Sequence, residues 1–350
     1  MVTILALGSV GAMAAGTTSG GTISNSASLS YSVGGATQPT VNTAEAATFV
    51  VDKKIDFSVS HDDNIKHKVT TPGAITVERT FTLSNTTNNT QDFTVDATNL
   101  ASGKVYDGET DDSDITDIKI SVDGGAFVSG PVTIAGLIAD GTKEIKVQVT
   151  VPNTNVDGNV MNIQLEATAV KAGTTDPEVV TGAGADGTIS ADRKDVEDTV
   201  LAEGAGVGTT GNTEFDGKYS AWAGYIINSP VLDLTKSSCV YEDLVSGVSA
   251  NAKRIPGATI TYLFDINNTG SRDASDINIT DELPAELDGA TVTALMMNDN
   301  QDSCSCVGGT AGAGSATTNA GSGQTVKINS LTAKTGKHNC VTLQVKIKSL

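Results

Sequence analysis

The densest concentration of chemistry in this sequence is a loop of carboxylates. "DGETDDSDITD" brings Asp107, Glu109, Asp111, Asp112, Asp114 and Asp117 into one short stretch. Hard oxygen ligands at that density suit a divalent cation, Ca²⁺ above all. A run of like charge also serves simply to keep a loop in water, and that solvated loop is the expectation beside which calcium stands as the one cofactor to test. "NTNVDGN" places Asn153, Asn155, Asp157 and Gly158 as at the start of an EF-hand loop. Asn holds its first position and Gln164 its last, so the charge is too low, and a tight turn between two strands explains it better.

Four cysteines, Cys239, Cys304, Cys306 and Cys340, lie in the C-terminal half. A bridge inside Cys-x-Cys closes a strained small ring, so Cys239 and Cys340 are each expected to bond one member of the Cys304/Cys306 pair. Two arrangements satisfy this. Zinc is the rival reading, but the spacing is not a pair of C-x-x-C motifs and His338 is the only imidazole nearby. The other histidines, His61 and His67, share the polar stretch "SHDDNIKHK". No H-E-x-x-H, G-x-S-x-G, Walker A or dinucleotide fingerprint occurs, and the chain is expected not to be an enzyme. "FDGKYSAWAGY" gathers Phe215, Tyr219, Trp222 and Tyr225; core packing is expected of them before a carbohydrate platform, because aromatics are only 4% of the chain.

The composition says which elements must position these groups. Of 350 residues, 37 are Gly and 18% are charged, with Thr, Ser, Val and Asn throughout. That is the make-up of many short strands and tight turns, not of a helical bundle, an α/β enzyme or a disordered polyampholyte. A formal net charge of −19 argues against nucleic acid, since no basic surface is available to neutralise phosphates. "PGATITYLFDINNTG" shows the strand pattern clearly: Ile260, Tyr262, Phe264 and Ile266 alternate with Thr259, Thr261 and Asp265 between two turn signals.

A near-copy, "PGAITVERTFTLSNTTN", begins at Pro72, and "GTKEIKVQVTV" is echoed by "GKHNCVTLQVKI". The interval from Pro256 to Gln344 exceeds that from Pro72 to Gln148 by about a dozen residues, which fall naturally in the Gly/Ser/Thr-rich loop "CSCVGGTAGAGSATTNAGSGQ". The fold class expected is all-β, with tandem immunoglobulin-like β-sandwich domains. The first should span 51–170 and the second, with a disulfide-stapled insertion, 230–350. Residues 171–229, rich in Gly and Asp, look like a partly structured connector in which "RKDVEDTVL" has the make-up of a helical turn. In both copies Pro at a strand start costs no ladder bond, and Asn and Gly of the closing turn are expected to supply positive φ angles.

Residues 1–15 form an apolar run ending in Ala-Met-Ala-Ala, like the hydrophobic region and cleavage site of a secretory signal, though no Lys or Arg precedes Lys53. The run is too short to span a bilayer. Residues 16–50 read as two or three strands around a Gly-Gly turn, with Leu29, Tyr31 and Val33 alternating with small polar residues.

Several stretches resemble bacterial secreted proteins that carry the repeat domain of unknown function eleven. The signature is Pro256-Gly257, then Asn268-Thr269-Gly270, then Thr280-Asp281-Glu282-Leu283-Pro284. "TISNSASLSYSVGG", "TFVVDKKIDFSV" and "DGKYSAWAGY" extend the likeness over nearly the whole chain, while the first copy departs from it, with Asn-Thr-Thr at its turn and no Thr-Asp-x-Leu-Pro. The resemblance implies an extracellular immunoglobulin-like sandwich in surface or wall-associated structures, with no catalytic residues to carry over.

The expected function is therefore an exported structural subunit of an extracellular filament or surface layer, whose partners are copies of itself. No wall-sorting motif or membrane helix is expected, so neighbours would hold the chain in place. Head-to-tail donation of the N-terminal strand, burying Ile23, Leu29, Tyr31 and Val33 in the next subunit, is the expected mode, against an ordinary strand pairing at home. A monomeric secreted adhesin or ligand-binding module is the alternative.

Overall fold

Alternation at period two runs through nearly every segment, and it decides the architecture. The computed structural model describes residues 16–61, 65–181, 193–207, 213–297, 300–302, 305–307, 310–311, 315–318 and 325–349. Among them every regular element is a β-strand, and "RKDVEDTVL" forms a turn and a short strand where a helical turn was expected. The signal-like run 1–15 lies outside the described residues.

Six short strands come first: β1 (Thr22–Asn25), β2 (Ser28–Leu29), β3 (Ser32–Val33), β4 (Ala36–Thr37), β5 (Val41–Asn42) and β6 (Ala47–Val50). They fold back at Gly34 and Gly35, whose φ angles of 58° and 89° suit glycine, into an antiparallel ribbon pairing β1 with β6, β2 with β5 and β3 with β4.

The first sandwich follows. Its strands are β7 (Lys53–Ile55), β8 (Phe57–His61), β9 (His67–Thr70), β10 (Val77–Asn85), β11 (Gln91–Asn99), β12 (Val105–Tyr106), β13 (Glu109–Thr110), β14 (Thr116–Val122), β15 (Val132–Leu137), β16 (Thr142–Thr150), β17 (Val160–Val170), β18 (Thr199–Leu201) and β19 (Lys218–Ile227). One sheet has the order β14-β16-β10-β8 and the other β15-β11-β17-β19-β9. Their inward side chains meet in a dry core: Phe81, Leu83, Phe93, Val95, Ile145 and Val147 are all fully buried. Phe57 of β8 meets Phe93 of β11 with ring centroids 5.0 Å apart, a tilted pair of the kind worth about 0.5–1.5 kcal/mol beyond its area.

The segment expected to be a connector is part of this sandwich. β19 pairs along its length with β17, and Tyr219, Ala221, Ala223 and Tyr225 stand opposite Ala167, Leu165, Ile163 and Met161. Tyr225 and Ala223 are fully buried. The first unit therefore continues to Ile226, apart from a short loop of residues 154–159 that groups with the second. The strand pattern that restarts at "FDGKYSAWAGY" is real, and pairing with β17 makes it a central strand of this unit.

The second unit holds β20 (Leu232–Glu242), β21 (Thr259–Asn268), β22 (Ala274–Glu282), β23 (Leu287–Met297), β24 (Asn300–Asp302), β25 (Ser305–Val307), β26 (Thr310–Ala311), β27 (Ser315–Thr318), β28 (Thr325–Ala333) and β29 (Lys337–Ile347). One sheet has the order β20-β21-β29-β23-β26 and the other β22-β28-β27. Ile260, Phe264 and Ile266 of β21 pack with Ile279, Ile328, Leu331, Val341 and Leu343. The Gly/Ser/Thr-rich insertion, expected as a loop, contributes the short strands β25 to β27.

The two sandwiches repeat one plan. β10 lies between β8 and β16 as β21 lies between β20 and β29. β11 follows β10 and pairs with β15, and β22 follows β21 and pairs with β28. The difference is on the other side: β11 also pairs with β17, whereas β22 has only β28 as a neighbour among the described residues.

Candidate assembly surfaces

The ribbon carries its apolar residues in the open. Leu29 is 60% exposed, Tyr31 45%, Val33 62%, Val41 52% and Phe49 49%. Most of its register sets like against like: Ile23 stands opposite Phe49, Leu29 opposite Val41 and Val33 opposite Ala36, while Ser24 faces Thr48, Ser28 faces Asn42 and Ser32 faces Thr37; Thr22–Val50 and Asn25–Ala47 are mixed pairs. Each short ladder thus has an apolar face and a hydroxyl or amide face. Residues 22–33, extended at about 3.3 Å each, would reach roughly 40 Å.

The base of the ribbon is fixed by the turn of the first repeat. Asn88 donates from Nδ2 to the carbonyls of Thr17 (3.2 Å) and Asp52 (2.9 Å), and its Oδ1 accepts the Lys54 amide at 2.9 Å. Asn89 donates to the Ser19 hydroxyl at 2.7 Å. Gly20 and Gly21 exchange backbone bonds with Val51 at 2.8 and 2.9 Å. An isolated hairpin is marginal in water, so these bonds matter for holding its root. Of the four residues expected to enter another subunit, Leu29, Tyr31 and Val33 are exposed and Ile23 is half-buried. Ile23, Leu29 and Val33 lie on β1, β2 and β3, which pair at home with β6, β5 and β4, and Tyr31, between β2 and β3, accepts the Gln38 amide at 2.8 Å.

A second bare surface, which the sequence pattern did not single out, lies on the edge of the second sandwich. On β20, Leu232 stands opposite Asn268, Leu234 opposite Ile266 and Lys236 opposite Phe264. Phe264 and Ile266 belong to the buried core, so Leu232, Leu234 and Lys236 lie on the inward face of β20. Even so, Leu232 is 44% and Leu234 54% exposed. Lys236 lies over the Tyr262 ring at 4.3 Å and reaches Asp281 of β22 at 2.7 Å, tying the two strands at one point. "VLDLTK" marks a strand, but its exposure depends on which neighbour is missing, and alternation does not report that.

The acidic loop is dispersed onto β17. Asp111 is buried and its Oδ2 accepts the Asn162 amide at 2.7 Å, while Asp112 Oδ1 accepts the Val160 amide at 2.8 Å. Asp117 pairs with Lys119 at 2.9 Å, and Asp107 turns the β12–β13 hairpin with φ of 50°. Glu109 is exposed on β13 and Asp114 is exposed as well. Among the described residues no three His, Cys, Asp or Glu side chains converge as metal ligands. Backbone amides have drawn the carboxylates apart. Burial pushes the Asp111 carboxyl up to about 6, with the charges of Asp114 and Asp112 adding to it and the Asn162 hydrogen bonds opposing.

Cys306 and Cys340 form a disulfide with Cα atoms 5.5 Å apart, and Cys340 is fully buried on β29. Cys239 is disulfide-bonded too, and Cys304 lies outside the described residues. "NTNVDGN" is the turn between β16 and β17, and Asp157 accepts the amides of Ser229 at 2.7 Å and Ser271 at 3.0 Å.

The aromatic cluster is packing. Trp222 is 7% exposed, donates Nε1 to Gln164 Oε1 at 3.1 Å and lies edge-on to Tyr106 at 5.7 Å. Tyr106 meets the His67 ring at 5.2 Å, and His67 Nε2 bonds Asn162 Oδ1 at 2.9 Å. Arg79, buried at 2% exposure, spans from β10 to the Gly224 carbonyl at 3.2 Å, bonds the Ile65 carbonyl and reaches His61. Phe215 alone of the four aromatics in that stretch is well exposed.

No family model matches the chain, and no curated protein matches it. Among solved structures, one described as "BspA_C_WT" aligns over 85% of this chain and 91% of its own at 9% identity and a TM-score of 0.38. A "chaperone-tip adhesin complex" of CFA/I fimbriae biogenesis aligns over 81% and 86% at 10% identity and 0.25. A family 123 glycoside hydrolase from Clostridium perfringens aligns over 52% and 28% at 12% identity and 0.25. Superpositions this loose assign nothing beyond what the strand order already states. Among the described residues no helix is long and apolar enough to cross a membrane.

Proposed function

We propose that the chain is an exported structural subunit that joins copies of itself into an extracellular filament or surface layer through its N-terminal ribbon. The observation that carries this reading is the ribbon itself: five large apolar side chains, Leu29, Tyr31, Val33, Val41 and Phe49, are each 45% or more exposed among the described residues. A contiguous exposed apolar surface of this kind marks an interaction site. Residues 16–51 carry one charge, Glu45, in a chain of net −19, so this is the segment that can approach another copy without Coulomb repulsion. The signal-like run, the disulfides and the resemblance of the Pro-Gly and Thr-Asp-x-Leu-Pro motifs to surface-protein repeats support export.

The test is a sizing experiment on the full chain against a variant in which residues 22–50 are replaced by two glycines. Gly21 and Val51 are hydrogen-bonded neighbours, so the splice leaves the root intact. The full chain is expected as a ladder or filament and the variant as a single folded chain with unchanged Tm. A variant that still assembles overturns the reading, and a full chain that stays single at high concentration supports a monomeric binding module in its place.

A further inference from the structure

The same register governs both repeats, and the side chains it places in equivalent positions have opposite fates. Phe57 and Val59 of β8 stand opposite Asn85 and Leu83; Leu232 and Leu234 of β20 stand opposite Asn268 and Ile266. Phe57 is 1% and Val59 4% exposed, against 44% for Leu232 and 54% for Leu234. In the first sandwich the cover comes from β17 and β19. β17 lines the free side of β11 and sets Leu165 and Ala167 into the core, and Tyr219 of β19 meets Phe57 at 6.4 Å. Beside β22 no strand takes that place among the described residues.

We propose that the open side of the second sandwich, between β20 and β22, receives the ribbon of another copy. The strand of residues 22–33 lies antiparallel along β22 as β17 lies along β11, and the strand of residues 36–50 lies outside it as β19 does. This rests on the reading that copies join through the ribbon, and it names the surface the ribbon enters.

The fit is argued from both partners. The donor must offer apolar side chains at every second position, as β17 does with Ile163, Leu165, Ala167 and Ala169. Along residues 22–33, Thr22, Ser24, Ser26, Ser28, Ser30 and Ser32 occupy the even positions, with Ile23, Ala27, Leu29, Tyr31 and Val33 on the odd ones, interrupted by Asn25. The ribbon is already a hairpin, as β17 and β19 are a pair, so it docks by its free edge without unfolding. That edge belongs to residues 22–33, because Pro39 in the returning strand has no N–H to give an inner ladder. β22 carries Asp276, Glu282 and Asp281, the last already paired with Lys236, and a nearly uncharged segment meets this edge without the repulsion that an acidic one from this chain would bring. A contact between different surfaces of two copies does not close on itself, so each subunit adds to the next.

The test uses two variants of the full chain, Tyr31→Asp in the donor and Leu234→Asp in the acceptor. Both side chains are exposed in the single chain, so each variant keeps its fold and Tm. By mass photometry, the wild type is expected to give a ladder and each variant alone a single-chain mass. An equimolar mixture of the two should give a two-chain species and nothing longer, since one member keeps its donor and the other its acceptor. If Leu234→Asp assembles like the wild type, this acceptor is wrong while the ribbon reading stands. If Tyr31→Asp assembles, the ribbon reading itself fails. A wild type of single-chain mass, whether the ribbon is free or folded onto its own β22, overturns both.

Discussion

Asn85 and Asn268 share three equivalent hydrogen bonds in the two sandwiches. Each ends the strand after the Pro-Gly start, and each donates from Nδ2 to the carbonyl four residues on, Asn89 at 3.3 Å and Arg272 at 2.8 Å. Each also donates across the sandwich end, to Leu137 at 2.9 Å and to Ala333 at 3.0 Å. Each Oδ1 accepts the amide two residues on, from Thr87 at 3.0 Å and Gly270 at 3.1 Å. Both side chains are fully buried. Replacing either by Ala strands carbonyls and an amide in the interior, which costs about 1–3 kcal/mol per orphaned group. Asn268→Ala should lower the denaturant midpoint of the second unit and Asn85→Ala that of the first, by roughly 2–4 kcal/mol each, read by chemical unfolding with a probe in each unit.

Gly270 is required by proximity, which corrects the expectation of a positive φ at this turn. A Cβ at this position would lie 2.3 Å from the Ser229 carbonyl oxygen and 2.4 Å from the Val231 nitrogen, both backbone atoms, and its φ is not in the left-handed range. Gly336 is the reverse case, with φ of 65° and open space around it. Gly336→Ala should cost only about 1–2 kcal/mol of conformational strain. Gly270→Ala has to push a backbone strand aside, and its Tm loss should be clearly the larger of the two.

The Cys306–Cys340 bridge closes a loop over a sequence separation of 34. By the chain-entropy argument such a loop is worth roughly 3–4 kcal/mol. Cys340→Ala with Cys306→Ala should therefore lower the stability of the second unit by about that amount and leave the first unit's transition unmoved. Calorimetry with two resolved transitions checks both halves.

Asp111 should give the first unit an acid-side stability component. Its folded carboxyl titrates at about 6, above the ordinary 3.8, so the folded state holds the proton more tightly than the unfolded one. The contribution is fully present below the ordinary carboxylate range and is lost as pH rises through about 6. Asp111→Asn keeps an oxygen for the Asn162 amide without the charge. It should raise Tm above pH 7 by on the order of 2–4 °C and flatten the pH profile between pH 4 and 6. Added Ca²⁺ or a chelator should leave that profile unchanged, since Asp111 and Asp112 already hold the β17 amides. A rise of Tm with Ca²⁺ would instead support the calcium reading of the loop.

What the sequence determined by itself is what local chemistry encodes. Ile260 to Ile266 alternate at the strand period and so make a strand wherever they fold, and the Pro-Gly-Ala copies at Pro72 and Pro256 mark one plan used twice. The Cys-x-Cys spacing limited the bridges to two arrangements through ring strain alone. The tertiary structure decided everything that depends on a distant neighbour. Tyr219 to Tyr225 looked like part of a connector, and only pairing with β17 makes them core. Asp111 reads in the sequence as one of a run of carboxylates, and only the fold sets its Oδ2 against the Asn162 amide, 51 residues away. Leu234 and Val59 sit at equivalent points of equivalent strands, and one is bare while the other is buried because β17 lies on the side of β11 away from β15, and no described strand lies on the side of β22 away from β28. Periodicity fixes which way a side chain points; whether anything meets it there is settled by non-local pairing, which no window of sequence contains.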